Sequence, residues 1–262
     1  MDKVFFRIVI PNYNNGSWVE KCIKSVLSQS FSDYTLVIVD DHSSDNSVNV
    51  ISNVIRNNEK CIFLPSEKKL FNGGARNLGL SVDIDSEYTL FLDSDDWFCN
   101  DNVLQGIHDC IVNNGYPDCV SLSYNCLIGN NESFQSLVRN TPKELVDSVY
   151  VACWTKCVKS DLVVKFPENT LMEDVVQHIE QCDKIESVVS FNTPCVCWNR
   201  NNMNSCSRVE NQDCQNKKWQ SSMYRYCAEL MDLVCEHDYC ENHRKWRLDI
   251  VLKNIEKGVY IQ

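Results

Sequence analysis

The sequence predicts an α/β protein: a doubly wound, mostly parallel sheet with helices on both faces and a ligand site at the carboxyl ends of its strands. Three observations predict it. Short β-favouring apolar runs alternate with segments whose apolar residues recur at helical spacing. The run Tyr34-Thr-Leu-Val-Ile-Val39 is almost continuously apolar, as in a parallel strand covered on both sides. Four of the runs end in polar or acidic clusters, and parallel strands bring such ends to one edge.

Phe5-Phe-Arg-Ile-Val-Ile10 is the first strand, ended by the polar loop Pro11-Asn-Tyr-Asn-Asn-Gly16. Gly16 or Ser17 then caps a helix with Val19, Cys22, Ile23, Val26 and Leu27 on one face. Residues 34–39 form the second strand, running into Asp40-Asp41-His-Ser-Ser-Asp45; Val48, Ile51 and Ile55 mark the next helix. Cys61-Ile-Phe-Leu64 is a third strand. In Asn72-Gly-Gly-Ala-Arg-Asn-Leu-Gly79, Gly73 and Gly74 let the backbone approach a ligand closely at a helix start. It is neither Gly-x-Gly-x-x-Gly nor a Walker loop. Tyr88-Thr-Leu-Phe-Leu92 is a buried central strand, and Asp93, Asp95 and Asp96 follow it directly.

Val103, Leu104, Ile107 and Ile111 mark a further helix, and Cys119–Tyr124 a strand. Beyond it the rhythm changes. Residues 129–139 read as a hairpin or loop, Thr141-Pro142 starts a short helix, and Ser160 or Asp161 caps another segment. A helix opens at Met172-Glu-Asp174, with Val175, Val176 and Ile179 apolar; residues 186–198 are extended and 199–212 form a polar loop. Amphipathic helices are expected over about residues 214–236 and 241–257. No repeat or linker divides the chain, so the organisation is a main domain over residues 1–210 and a helical appendage over 211–262. Within the domain, 1–125 is the half with the βα rhythm and 126–210 the half in which that rhythm changes.

The totals agree. With 262 residues, 44% hydrophobic and 23% charged, the chain can bury a substantial core. A net charge of −11 argues against nucleic-acid binding. No signal-peptide core and no run of about 18 apolar residues is present, so the expectation is a cytoplasmic protein, with peripheral contact at a membrane's inner face left open. Sixteen cysteines without a Cys-x-x-Cys pair read as reduced apolar fillers rather than a zinc site or a disulfide framework.

Three carboxylates within four residues repel one another unless a cation or a donor-rich ligand neutralises them. A hard divalent ion on a diphosphate is the simplest occupant. An acidic turn with Asp95 or Asp96 capping the next helix is the plainer alternative. The ordered set of strand ends separates the two. Ile-Val-Ile-Pro-Asn-Tyr-Asn, Ile-Val-Asp-Asp-His-Ser-Ser-Asp, Gly-Gly-Ala-Arg-Asn and Phe-Leu-Asp-Ser-Asp-Asp resemble, in order and spacing, the family-2 glycosyltransferases of the GT-A fold, of the bacterial capsule and lipopolysaccharide type. The resemblance continues through Trp154-Thr-Lys156, Phe166-Pro167, Glu173-Asp174, Trp198-Asn-Arg200 and Ser205-Cys-Ser207, covering about residues 4–208.

That resemblance implies an inverting, metal-dependent transferase moving a sugar from a UDP-sugar to a hydroxyl of a glycan or lipid-linked acceptor. Pro11 and Tyr13 would line the nucleoside pocket, Asp40 would accept the uracil N3–H, and Asp41 would support its loop. Arg76 would pair with Asp40 or the base. Asp93, with Ser94, would meet ribose or metal-bound water, and Asp95 would ligate Mn²⁺ or Mg²⁺, with Asp96 a second candidate. Asp174 would be the catalytic base, and Trp154, Lys156, Glu173, Arg200 and Ser205 would face the acceptor. His178, one turn after Asp174, reads as an ordinary polar helix position. The sequence departs from the pattern in having no His-x-His after Glu173-Asp174 as a further metal ligand. The C-terminal aromatics Trp219, Tyr224, Tyr226 and Trp246 suit core packing first, then a homodimer face, a membrane contact or an acceptor wall.

Two other classes compete. A sugar nucleotidyltransferase would carry a basic, Gly-rich phosphate loop near its first strand, and residues 11–16 contain no basic residue. A non-catalytic nucleotide- or glycan-binding module would have lost carboxylates, yet Asp40, Asp93, Asp95 and Asp174 are all present.

Overall fold

The structure is a computed structural model. It describes residues 3–146, 148, 151–168 and 173–205; the expected C-terminal helices and their dimer face lie outside the described residues. The first half follows the sequence closely, as β1 (Val4–Asn12), α1 (Val19–Leu27), β2 (Tyr34–Asp40), α2 (Ser47–Val54), β3 (Cys61–Pro65), α3 (Phe71–Leu80) and β4 (Ser86–Phe91). Then come β5 (Trp97–Phe98), α4 (Val103–Asn113), β6 (Cys119–Ile128), β7 (Asn131–Gln135), α5 (Pro142–Val146), β8 (Lys156–Lys159), α6 (Glu173–Cys182) and β9 (Val188–Asn199). Single 3₁₀ turns stand at Cys153–Thr155 and Ser160–Leu162.

One sheet runs through the molecule in the order β3-β2-β1-β4-β8-β6-β9-β5, with β7 paired to β6. Its first four strands are parallel, and Ile8 of β1 sits between Leu36 of β2 and Leu90 of β4. The second half is mixed. β8 runs antiparallel to both β4 and β6, β9 lies parallel to β6, and β5 pairs antiparallel with β9. The sequence reading ran strands 88–92 and 119–124 consecutively through a doubly wound sheet; in the structure β8 stands between them.

Two apolar layers hold the parallel half. Phe6, Ile8, Ile10, Leu36, Ile38, Tyr88, Leu90 and Leu92 face α1 and α4, which contribute Val19, Ile23, Val26, Leu104 and Ile107. Val9, Val37, Val39 and Phe91 point to the other face and pack with Ala75 of α3 and with Phe166. Alternate strand residues thus serve opposite layers, as the period of two requires. Gly79 lets α3 lie tight on this face: a Cβ there would meet Val9 Cγ1 at 2.5 Å. A third group, Cys119, Leu145, Val158, Cys182, Ile185 and Val188, seats α5 and α6 on the mixed half.

Three local expectations change. No side chain caps α1, which Trp18 precedes. Gly73 also serves a close approach within the protein, since a Cβ there would meet Pro167 O at 2.2 Å. Asp95 and Asp96 cap no helix, because β5 intervenes before α4 begins.

Candidate active site

The strand ends of β1, β2 and β4 and the head of α3 do meet at one edge of the sheet. Pro11 is buried in the last turn of β1, in register with Val39. Asp40, 1% exposed, accepts from Asn12 Nδ2 at 2.8 Å, Ser43 Oγ at 2.7 Å and Ser43 N at 2.9 Å. It therefore fixes the loop that follows β2 as well as facing the edge. Asp41 reaches the next crossover, accepting from Leu70 N and pairing with Lys69 Nζ at 2.7 Å. The same ammonium lies 2.7 Å from the centroid of the Tyr13 ring. Asp41 braces the segment after β3 through Leu70 and through a lysine that no spacing singled out.

Arg76 departs from its expected partner. Its guanidinium is 3% exposed and bridges Asp93 Oδ1, at 2.7 Å, and Glu173 Oε1, instead of turning to Asp40. The fork geometry of arginine suits two carboxylates at once. It ties the end of β4 to the first turn of α6. Glu173, expected at the acceptor, is 6% exposed and used in this pair. Burial raises the Glu173 carboxyl above its ordinary value, with Arg76 opposing the rise.

Asp174 is half-buried beside it; its carboxylate meets its own backbone N–H, and none of the ion pairs among the described residues includes it. Burial raises it above the usual range, Arg76 and Lys156 lower it, and Asp93 raises it. A carboxylate outside the ion pairs of the described residues, positioned by a paired neighbour, is free to accept a proton.

The acidic cluster divides by direction. Asp93 is partly exposed and holds Arg76. Ser94 is 3% exposed and bonds Asn15 Nδ2 at 2.9 Å. Asp95 accepts from Asn202 Nδ2 at 2.8 Å, and burial, then Asp93, pushes its carboxyl up to about 6. Asp96 turns inward, 2% exposed, and accepts from Asn199 N at 2.8 Å; burial and its acidic neighbours raise it well above the ordinary range. Asp95 is thus the better placed of the two for a cation. No group of three or more His, Cys, Asp or Glu able to hold a metal converges among the described residues.

Asn202 and Asn199 are the residues that sequence reasoning missed. Asn202 also bonds Asn15 Oδ1 at 3.0 Å, so the segment after β9 folds back onto the end of β1 and the acidic cluster. Its only sequence signal was the Asn-rich run Asn199-Arg-Asn-Asn-Met-Asn204, read as a plain polar loop.

The remaining acceptor candidates separate. Trp154 is 6% exposed and packs edge-on to Tyr124 at 5.0 Å, and Lys156 is 2% exposed; neither is a surface contact. Arg200 is exposed and lies 4.6 Å from the Trp198 ring, while Ser205 is partly exposed in the loop beyond.

The described cysteines are free, as expected, with the Sγ atoms of Cys99 and Cys197 3.1 Å apart. No helix among the described residues is long and apolar enough to cross a membrane.

Comparison with known proteins bears on this edge. The sequence model described as "Glycosyl transferase family 2" matches residues 7–143. The glycosyltransferase GlyA of Streptococcus pneumoniae is 23% identical over 252 residues, 88% of this chain but 35% of that protein. The chain spans less than half the length of the curated relatives it matches first. Among solved structures, residues 1–349 of S. aureus TarS in complex with UDP-GlcNAc align with a TM-score of 0.71 and 19% identity, over 95% of this chain and 71% of that one. A mannosyltransferase of Pyrobaculum calidifontis in complex with GDP-Man and Mn²⁺ aligns with a TM-score of 0.60 and 11% identity, over 95% and 69%.

Proposed function

Because the chain belongs to glycosyl transferase family 2 and has the GT-A type of fold, we propose that it moves a sugar from a UDP-sugar to a hydroxyl of a glycan or lipid-linked acceptor, with inversion. One observation carries the reading: the Arg76 fork joins Asp93 to Glu173, so the acidic cluster and Asp174 flank the same sheet edge. A uridine donor is supported by Asp40 and Asn12 at the ends of β2 and β1, where Asn12 Oδ1 is buried without a hydrogen-bond partner. The UDP-GlcNAc bound by TarS agrees with it.

The chain's own residues fit a divalent ion in one respect. Asp95 is a half-buried carboxylate whose described partner is a neutral amide, with Asp93 two residues away, and that unneutralised charge is what a cation relieves. Asp95, assisted by Asp93, would hold Mn²⁺ or Mg²⁺ together with the donor's diphosphate. When bound, the ion supplies positive charge against the departing UDP.

Asp174 takes the proton of the acceptor hydroxyl as its oxygen forms a bond to the anomeric carbon. The bond from that carbon to the diphosphate oxygen breaks, and its electron pair leaves with UDP. Arg76 fixes the first turn of α6, and with it the side from which the hydroxyl approaches. One base and no evident nucleophile give a single displacement, hence inversion.

The test pairs two variants on the full chain, with calorimetry for UDP binding and NMR for the product anomer. Asp95→Asn should abolish the cooperative binding of Mn²⁺ and UDP. Asp174→Asn should bind both almost normally while transfer falls by about 10²–10⁴. A fully active Asp174→Asn enzyme, or a product that keeps the donor's configuration, would overturn the assignment.

A further inference from the structure

Lys156 is the least expected charge in the molecule. It is 2% exposed, yet none of the described ion pairs includes it. Its ammonium is held by neutral acceptors: Val151 O at 2.8 Å, Ala152 O at 3.5 Å and His178 Nδ1 at 2.9 Å. His178, wholly buried, has Nε2 3.0 Å from Leu145 O. A carbonyl only accepts, so Nε2 carries the proton and the Nδ1 lone pair receives Lys156. The imidazole is therefore neutral. A second proton would take away the lone pair and set two cations 2.9 Å apart.

A buried ammonium without a touching anion is costly unless some charge nearby answers it. His178 lies one helical turn after Asp174 on α6, so the ammonium sits behind the turn that carries the proposed base. Resting on that reading of Asp174, we propose that Lys156 is a positioning residue for it. Pinned by His178 and the carbonyls of residues 151–152, its buried charge keeps the Asp174 carboxylate ionised and its helix turn in place.

The other groups around Asp174 do not make Lys156 redundant. From α3, Arg76 favours the ionised form, but its fork is committed to Asp93 and Glu173. Asp93, beyond β4, opposes ionisation. Glu173, next to Asp174 in sequence, adds like charge, while the neighbouring Cys153 thiol is kept neutral by burial. Lys156, from β8, is the remaining cation that lowers Asp174. Around Lys156 itself, burial lowers its own affinity for the proton, and the cation Arg139 does the same; the thiols of Cys182, Cys153 and Cys119 act the other way.

The sign follows. Removing the Lys156 charge makes Asp174 harder to ionise, so the base is lost at a higher pH and the rate falls earlier on the acid side. Where Asp174 is ionised in both proteins the rates converge. A purely structural role would lower the rate at every pH alike.

The experiment uses the full chain with Lys156→Met and Lys156→Gln. The second variant is neutral but keeps a donor for the same carbonyls, and serves if the first does not fold. The ¹³C resonance of the Asp174 carboxyl, assigned by its loss in Asp174→Asn, is titrated in wild type and in each variant. UDP-GlcNAc hydrolysis is followed from pH 5.5 to 9. The expected result is an Asp174 titration moved to higher pH, with hydrolysis down about tenfold at pH 6 and within about twofold at pH 8.5. KM for UDP-GlcNAc should change little. An unmoved Asp174 titration, or an equal loss at all pH values, overturns the proposal. Wild-type activity in Asp174→Asn would instead remove the base reading, and the carboxyl titration would still report whether Lys156 governs Asp174.

Discussion

Arg76 is the side chain whose removal should be felt in both stability and chemistry. Arg76→Met would leave Asp93 and the buried Glu173 facing each other without their shared cation. Breaking a buried pair from one side costs about 3–5 kcal/mol. Glu173 already has its carboxyl raised by burial, and without Arg76 it rises further. A carboxyl raised in the folded state binds protons that the unfolded chain does not, so stability falls as pH climbs from its unfolded value through its folded one. Thermal melts should therefore show the largest loss, about 10 °C, near pH 7.5 and a smaller one near pH 5. At this scale the carboxylates were legible because acidic residues clustered at a strand end have few structural uses. The partners of Arg76 were not, since a sequence places an arginine on a helix but says nothing of which carboxylate 97 residues away will meet it. Asn199 and Asn202 were hidden for a similar reason: one gives a backbone N–H to Asp96 and the other a side-chain amide to Asp95, and neither carries a signal until the path of the chain at the end of β9 is known.

The elements tell the same story with backbone in place of charge. α3 must lie close to β1 for Arg76 to reach Asp93, and Gly79 permits that approach. Gly79→Ala should cost about 1–3 kcal/mol by overpacking, and Val9→Ala in the same chain should recover part of it. Denaturant unfolding of the two single variants and the double would show the coupling; strict additivity would mean that the contact is not what limits α3. Strands β1 to β4 were readable because continuous apolar runs in a βαβ rhythm have one common solution. β8 was not. Lys156-Cys-Val-Lys159 is short and charged at both ends, and only its place between β4 and β6 makes it a strand. The two-residue β5 is likewise a consequence of pairing with β9.

For the whole molecule, a net charge of −11 goes with an acidic cluster at the strand ends, which the cation of the proposed metal–diphosphate ligand would neutralise. The eleven described cysteines are all free and scattered among the strands and helices. Thiol titration of the denatured, unreduced protein should accordingly find sixteen thiols and no stoichiometric zinc; several disulfides or bound zinc would contradict the filler role. The sheet order carries a cost during synthesis. Residues 88–90 of β4 pair with 157–159 of β8, about 69 residues later on the ribosome. At about 5–20 residues per second, the nascent chain carries that apolar strand with one edge bare for about 3–14 s. A row of unpaired backbone groups beside Leu90 and Phe91 is an invitation to another growing chain. Crowded translation, more than the finished fold, is where this protein is most exposed to aggregation.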